Sequence, residues 1–138
     1  DVMGCDWVVP GVGDAGAHVS IIMDAVWSSF FISHWYRDQE AFSLEETIHM
    51  LTEKQNRVLA LPDRGSLVVG KKADVNVIEI DRVEERQPQR VLDLPGGFPR
   101  LIQKAAGYKN TIVNGKIILE ENELTDERGG TVIRGNSR

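Results

Sequence analysis

The chain has little cysteine, few aromatic side chains and no long apolar run. Because Cys5 stands alone, neither an internal disulfide nor a cluster of thiolate zinc ligands can form, and this fits a reducing compartment. We therefore expect a cytoplasmic protein. Asp24 interrupts one apolar stretch and His34 and Arg37 end the next, so none approaches the roughly 18 residues of a membrane-spanning helix. A disulfide scaffold and a transmembrane protein are excluded.

Positive charge is also scarce. The sequence has 16 Lys and Arg against 21 Asp and Glu, a net charge of −5, and its basic residues are scattered. Nucleic acids and anionic membranes are recognised by clustered positive charge, so we expect neither as a partner. With 138 residues, 41% of them hydrophobic, the composition fits one soluble globular unit or a piece of a larger protein.

The spacing of apolar residues divides the sequence into two parts, one with a helical period and one with short strands. Apolar residues recur every three or four positions over residues 19–35, which predicts an amphipathic helix. Ser43 stands three residues before Glu46, the pattern of a capping box, and predicts a second helix that runs toward Leu59. Gly65 then marks the end of the helical part.

From Gly65 onward the sequence predicts short strands separated by turns, at residues 66–69, 73–80, 107–113 and 116–120. Asn114-Gly115 is the strongest local signal, because a two-residue type I′ hairpin turn needs the positive φ angles that these residues adopt. Residues 88–106, rich in proline and glycine, are predicted to be an irregular excursion between the strand groups.

An acid enclosed by small residues follows the first apolar stretch. Residues 7–12 predict a short buried strand, and Gly13 lets the chain turn so that Asp14 stands at the strand's carboxyl end. A carboxylate there can bind a divalent metal and accept the proton of a metal-bound water. The alternative is that Asp14 caps a helix beginning near Ala17, the commoner role for aspartate at such a spacing.

The histidines give less information than this acid. His18 lies four residues after Asp14, so the two could form a metal pair on a helical turn, but a zinc site usually takes three protein ligands and a water. His34 and His49 fall on the predicted helices and are expected to be structural. Neither a nucleophile elbow nor a phosphate loop occurs in the sequence, so serine hydrolases and nucleotide-binding proteins lack their signatures here.

Four stretches, taken in order, carry a family likeness. They are GVGDAGAHVS, TEKQNRVLALPDRGSLVVGKKADVNVIEID, DLPGGFPRLIQKAAGY and TIVNGKIILEENELT. Together they resemble the C-terminal part of the amidohydrolase superfamily, and within it the N-acyl-D-amino-acid deacylase, or D-aminoacylase-like, branch. The chain departs from that pattern at 52–56, 59–61 and Phe98-Pro99.

The resemblance implies a metal-dependent hydrolase built on a (β/α)8 barrel. We expect an α+β fragment in which residues 1–62 supply the eighth strand and following helices of the barrel, and residues 63–138 supply the C-terminal strands of a small β-sandwich. Asp14 matches the metal-associated aspartate that takes the proton from the attacking water. His18 matches a histidine for which contact with the substrate is expected. The parent enzyme would bind a divalent metal, with zinc expected, and hydrolyse a small N-acyl-D-amino acid.

A complete barrel needs roughly 200 residues or more, and the other metal ligands of the family are absent from this sequence. We therefore expect the chain alone to lack amidase activity and to hold no metal. Its apolar helix faces and open strand edges predict a homo-oligomer. Two alternatives remain: a non-catalytic α+β interaction module, and a fragment of a cyclic-amide hydrolase related to dihydroorotase or hydantoinase.

Overall fold

The structure is a computed structural model, and it describes residues 2–11 and 13–134. Its helical part comes first in the chain. The first helical segment joins a 3-10 turn (Asp24–Val26), an α-helical turn, α1 (Trp27–Phe30), and a π-helical stretch (Phe31–Asp38). Two short helices follow, α2 (Leu44–Leu51) and α3 (Glu53–Val58).

The start of α2 confirms the predicted capping box. The Glu46 amide donates to the Ser43 hydroxyl at 3.2 Å, and the Ser43 amide donates to the Glu46 carboxylate at 2.8 Å. Two of the amides that a helix start leaves without a partner are thereby satisfied.

The β part contains one four-stranded antiparallel sheet with the strand order β1-β6-β7-β8. Its strands are β1 (Val75–Ile78), β6 (Tyr108–Val113), β7 (Lys116–Glu120) and β8 (Glu123–Leu124). Asn114 and Gly115 connect β6 to β7 with φ angles of 49° and 78°. The predicted hairpin is therefore confirmed.

A two-stranded ribbon stands apart from this sheet. In it β2 (Glu84–Glu85) pairs with β5 (Ala105–Ala106), and β3 (Gln89–Val91) pairs with β4 (Arg100–Ile102), both antiparallel. The prediction of an irregular excursion over residues 88–106 was therefore wrong. Its proline and glycine lie largely in the loop beyond the paired residues, where a 3-10 turn spans Pro95–Gly97.

The helical and β parts share one small core. Its buried apolar residues come from both parts: Phe31, Ile32, Met50, Val83 and Ala106. Polar contacts along the first helical segment complete the junction. The Ser29 hydroxyl lies 2.9 Å from the Tyr108 hydroxyl, and Arg37 Nη1 donates to the Val83 carbonyl at 2.8 Å. The fold is thus a small α+β unit held together at this junction.

Two predicted strands are not found. Residues 7–11 form no strand, Trp7 is 81% exposed, and Val12 lies outside the described residues. A barrel strand needs a neighbour on each side to accept and donate its backbone hydrogen bonds, and none of the strands formed by the described residues pairs with residues 7–11. Residues 66–69 are also not a strand, and their last residue, Val69, is fully exposed.

The first predicted helix is displaced along the chain. It begins at Asp24 rather than at Val19 and continues to Asp38. Within the described ranges, no helix has the length and apolar character that crossing a membrane requires.

Candidate functional site

Asp14 and His18 lie on an exposed segment made of consecutive turns, not at the end of a strand. The Ala17 amide donates to the Asp14 carbonyl at 3.0 Å. His18 has a φ of 46°, in the left-handed region, and its carbonyl accepts from the Ile21 amide at 2.7 Å. The chain therefore reverses twice between Gly13 and the first helical segment.

Gly13 is required by the way this segment packs. A Cβ atom at Gly13 would lie 2.5 Å from the Asp24 carbonyl oxygen, so no larger residue fits without displacing the start of the first helical segment. The residue before Asp14 is thus fixed against the residue that begins the helix. This contact positions Asp14 although its side chain is exposed.

Two hydrogen bonds from distant parts of the chain hold the segment at its ends. Gln55 Nε2 in α3 donates to the Pro10 carbonyl at 2.9 Å, and the Leu101 amide in β4 donates to the Val19 carbonyl at 2.8 Å. One bond precedes Asp14 and the other follows His18 directly. Neither bond could be predicted from the sequence, because each joins residues more than 40 positions apart.

The structure does not support the capping alternative for Asp14. No helix begins near Ala17. The first one begins at Asp24, and its N-cap residue, Met23, makes no side-chain capping bond. Among the described residues, neither the Asp14 carboxylate nor the His18 ring has a hydrogen-bond or ion-pair partner. The carboxylate is available to a ligand.

The described residues do not form a metal site by themselves. Over residues 2–11 and 13–134, no three His, Cys, Asp or Glu side chains lie close enough together to hold an ion. Since a zinc site normally takes three protein ligands, Asp14 and its described neighbours could supply only part of a metal site.

The other two histidines contact side chains close to them in the chain. The His34 ring stacks on Phe30 with centroids 4.8 Å apart and meets Trp35 edge-on at 4.9 Å. His49 Nδ1 lies 3.6 Å from the carboxylate of Glu53, one helical turn further on.

The cavities lie away from Asp14 and His18. One of about 420 Å³ opens between α2 and β1, where Ile48, Leu51 and Val75 line it. Another, of about 320 Å³, is lined by charged side chains that already pair with one another, such as Lys109 with Glu79 at 3.0 Å. Glu84 pairs with Arg86 at 2.7 Å in the same cavity, and the hydrogen bond from Lys109 lowers the pKa of Glu79. Neither of these two cavities is lined by a residue of the segment that carries Asp14 and His18.

Comparison with known proteins identifies the class. The model of the amidohydrolase family matches residues 6–119, well over half of the sequence, so this chain belongs to that family. An N-acyl-D-glutamate deacylase from Alcaligenes xylosoxydans xylosoxydans is 31% identical over 111 residues, which are 79% of this chain and 21% of the deacylase. An allantoinase from Solibacter usitatus (strain Ellin6076) is 26% identical over 97 residues, 70% of this chain and 21% of the allantoinase.

Solved structures agree with this placement. Two D-aminoacylase structures, one of them from work on the binuclear metal centre of that enzyme, superpose with a TM-score of 0.60 at 24% identity. Each superposition covers 75% of this chain and 20% of the D-aminoacylase chain, and the likeness shows a shared fold. Within the family the chain is similar to members of the D-aminoacylase-like branch. It spans about a fifth of the length of these relatives.

Proposed function

We propose that this chain is part of a metal-dependent amidohydrolase that hydrolyses the amide bond of N-acyl-D-amino acids, and that the chain alone is inactive. In this proposal residues 1–62 belong to the hydrolase barrel and residues 63–138 to the β-sandwich beside it. The observation that carries the substrate class is the 31% identity with an N-acyl-D-glutamate deacylase. Membership of the amidohydrolase family supports the reaction type.

Asp14 is the proposed proton acceptor. Its exposed carboxylate, without a partner among the described side chains, can take the proton from the water that attacks the amide carbon. The surface near it is open, because apart from the chain neighbours of Gly16 no described heavy atom lies within 4 Å of the point where a Cβ at Gly16 would stand. His18, exposed on the same segment, is proposed to contact or orient the substrate.

The proposal also makes Asp14 a ligand of a divalent metal, for which zinc is the expected ion. The binuclear centre of D-aminoacylase supports a divalent metal in the whole enzyme. One carboxylate does not hold such an ion, and the described residues offer no group of three ligands. The remaining ligands would have to come from outside the described residues.

Hydrolysis of N-acetyl-D-glutamate and N-acetyl-L-glutamate tests the reaction and the stereochemistry together. The whole encoded protein and the 138-residue chain are assayed side by side for release of free glutamate. We expect the whole protein to cleave the D substrate preferentially and the 138-residue chain to cleave neither. Cleavage by the isolated chain would contradict its proposed inactivity, and cleavage of only the L substrate would contradict the proposed substrate class.

The match to an allantoinase favours a second candidate, a hydrolase of cyclic amides. Allantoin and dihydroorotate serve as substrates in the same assay. Ring opening by the whole protein without cleavage of acylated D-amino acids would replace the first candidate with the second. Failure on all of these substrates would favour a non-catalytic α+β interaction module.

We also propose that the isolated chain self-associates. Large apolar side chains remain exposed in both parts of the fold, among them Trp7, Phe30, Leu67, Val69 and Leu124. The strand β1 lies at an edge of the four-stranded sheet and can pair with a further strand. Sedimentation at micromolar concentration should show a dimer or larger species, and a single monomeric boundary would contradict this.

A further inference from the structure

The ribbon of β2–β5 and β3–β4 is continuous. Between its two pairs of strands, the Arg86 amide donates to the Lys104 carbonyl at 2.8 Å, and Gln103 Nε2 donates to the Arg86 carbonyl at 2.9 Å. At about 3.3 Å per residue, residues 84–91 span roughly 25 Å. A two-stranded ribbon of this kind is marginally stable alone, so contacts at its far end are needed to stabilise it.

A bidentate ion pair closes the tip loop of the ribbon, which we define as residues 92–99. Arg100 Nε and Nη2 donate to the two carboxylate oxygens of Asp93 at 2.6 and 2.7 Å. Paired hydrogen bonds of this geometry fix both side chains in one plane. The loop between them is thereby held in a defined shape, and at its surface Phe98 is 67% exposed.

The ribbon is attached to the segment that carries Asp14 and His18. In an antiparallel pair, alternate residues direct their amides away from the partner strand. Leu101 uses such an amide to bond the Val19 carbonyl at 2.8 Å. Val19 directly follows His18, and Phe98 precedes Leu101 by three residues. This bond joins the strand that follows the tip loop to the residue that follows His18, although the two come from the β and helical parts of the chain.

We propose that the tip loop forms one wall of the substrate site at Asp14 and His18, and that Phe98 determines specificity by contacting the acyl chain of the substrate. This inference rests on the proposed function. An aromatic side chain on a loop that is already ordered loses little conformational entropy when it binds, so its contact area contributes to affinity. The acyl chain is the apolar part of an N-acyl amino acid, and the carboxylate of the amino acid is the part that an apolar wall would disfavour.

The test compares two substrates that differ only in acyl length, N-acetyl-D-glutamate and N-hexanoyl-D-glutamate, with the whole encoded protein. Phe98→Ala should lower kcat/KM for the hexanoyl substrate by roughly tenfold or more, because loss of an apolar pocket contact changes discrimination by about that factor. The value for the acetyl substrate should change less than about twofold. Leu124→Ala is the matched control: Leu124 is 81% exposed and lies on β8, in the other sheet. An equal change for both substrates, or no change for either, overturns the inference.

Activity of the unaltered protein on N-acetyl-D-glutamate tests the proposed function separately. If the unaltered protein cleaves neither substrate, a binding measurement tests the role of Phe98 instead. Protein labelled with 4-fluorophenylalanine is titrated with N-hexanoyl-D-glutamate, and the Phe98 fluorine signal is assigned with Phe98→Leu. The Phe98 signal should move while those of Phe31 and Phe42, which stack on each other with centroids 5.9 Å apart, stay in place. An unmoved Phe98 signal at millimolar ligand overturns the inference.

Discussion

Val83 provides the sharpest test of how the helical and β parts are joined. Its side chain is completely buried, and its carbonyl accepts the hydrogen bond from Arg37 in the first helical segment. Val83→Ala removes two methyl groups from this position and leaves the backbone carbonyl in place. The variant therefore isolates the packing contribution of one side chain at the junction.

The size of the effect follows from the burial. Loss of two buried carbon groups costs about 1.6 kcal/mol at 0.8 kcal/mol each, and the cavity left behind raises the total to about 2.5 kcal/mol. At about 2.1 cal/mol/K per residue, a chain of this length has an unfolding entropy near 0.3 kcal/mol/K. The melting temperature should therefore fall by roughly 8 °C.

Thermal unfolding followed by circular dichroism measures this shift. Val77→Ala is the control, because Val77 lies on β1 with 43% of its surface exposed and its truncation should lower the melting temperature much less. Equal shifts for the two variants would refute the central place of Val83 in the core. Proteolysis of the Val83→Ala protein should also cleave between the two parts sooner than in the unaltered chain.

Three further predictions concern other local features. Ser43→Ala removes the hydroxyl that caps α2 and should lower the melting temperature, whereas Ser43→Asp, which keeps an acceptor at that place, should lower it less. Gly107→Ala should greatly reduce the yield of folded protein, since Gly107 has a φ of 85° and a Cβ there would lie 2.6 Å from the Val83 amide nitrogen; a normally stable variant would show that the two backbones are not in contact. Hydrogen bonds from Arg100 lower the pKa of Asp93, so this carboxylate stabilises the fold above its unfolded pKa of about 3.9 and ceases to do so as pH falls through the lower folded value. The difference in melting temperature between unaltered protein and Asp93→Asn should accordingly be present at neutral pH and vanish in acid; a difference that does not depend on pH would contradict the pairing.

The features that the sequence predicted correctly are those that depend on a few adjacent residues. The Ser43 capping box needs only the four residues from Ser43 to Glu46, and the hairpin turn needs only the backbone freedom of Asn114 and Gly115. Residue type and spacing determine such local geometry, so it can be predicted without knowing how the rest of the chain packs.

The failures concern features that depend on partners far along the chain. Residues 7–11 have the composition of a buried strand, but strand formation requires neighbouring strands, and no strand within residues 13–134 pairs with them. The ribbon was missed because its proline and glycine suggested an irregular backbone, whereas Gln89 pairs with Ile102, thirteen residues later.

The candidate site shows the same division. Asp14 and His18 were identified by their glycine-rich surroundings and by family likeness. The two bonds that hold their segment, from Gln55 and from the Leu101 amide, could not be predicted, because no local pattern specifies which distant donor meets a given carbonyl. The roles proposed for Asp14 and His18 remain predictions.

The most direct measurement of the central claim is the turnover of N-acetyl-D-glutamate by the whole encoded protein carrying Asp14→Asn. This change keeps the shape of the side chain and removes its capacity to accept a proton. We expect kcat to fall about 10²- to 10⁴-fold, the usual contribution of a general base. Asp126→Asn, at an exposed aspartate near the end of the chain, should keep the full rate. An Asp14→Asn protein as fast as the unaltered one would contradict the account.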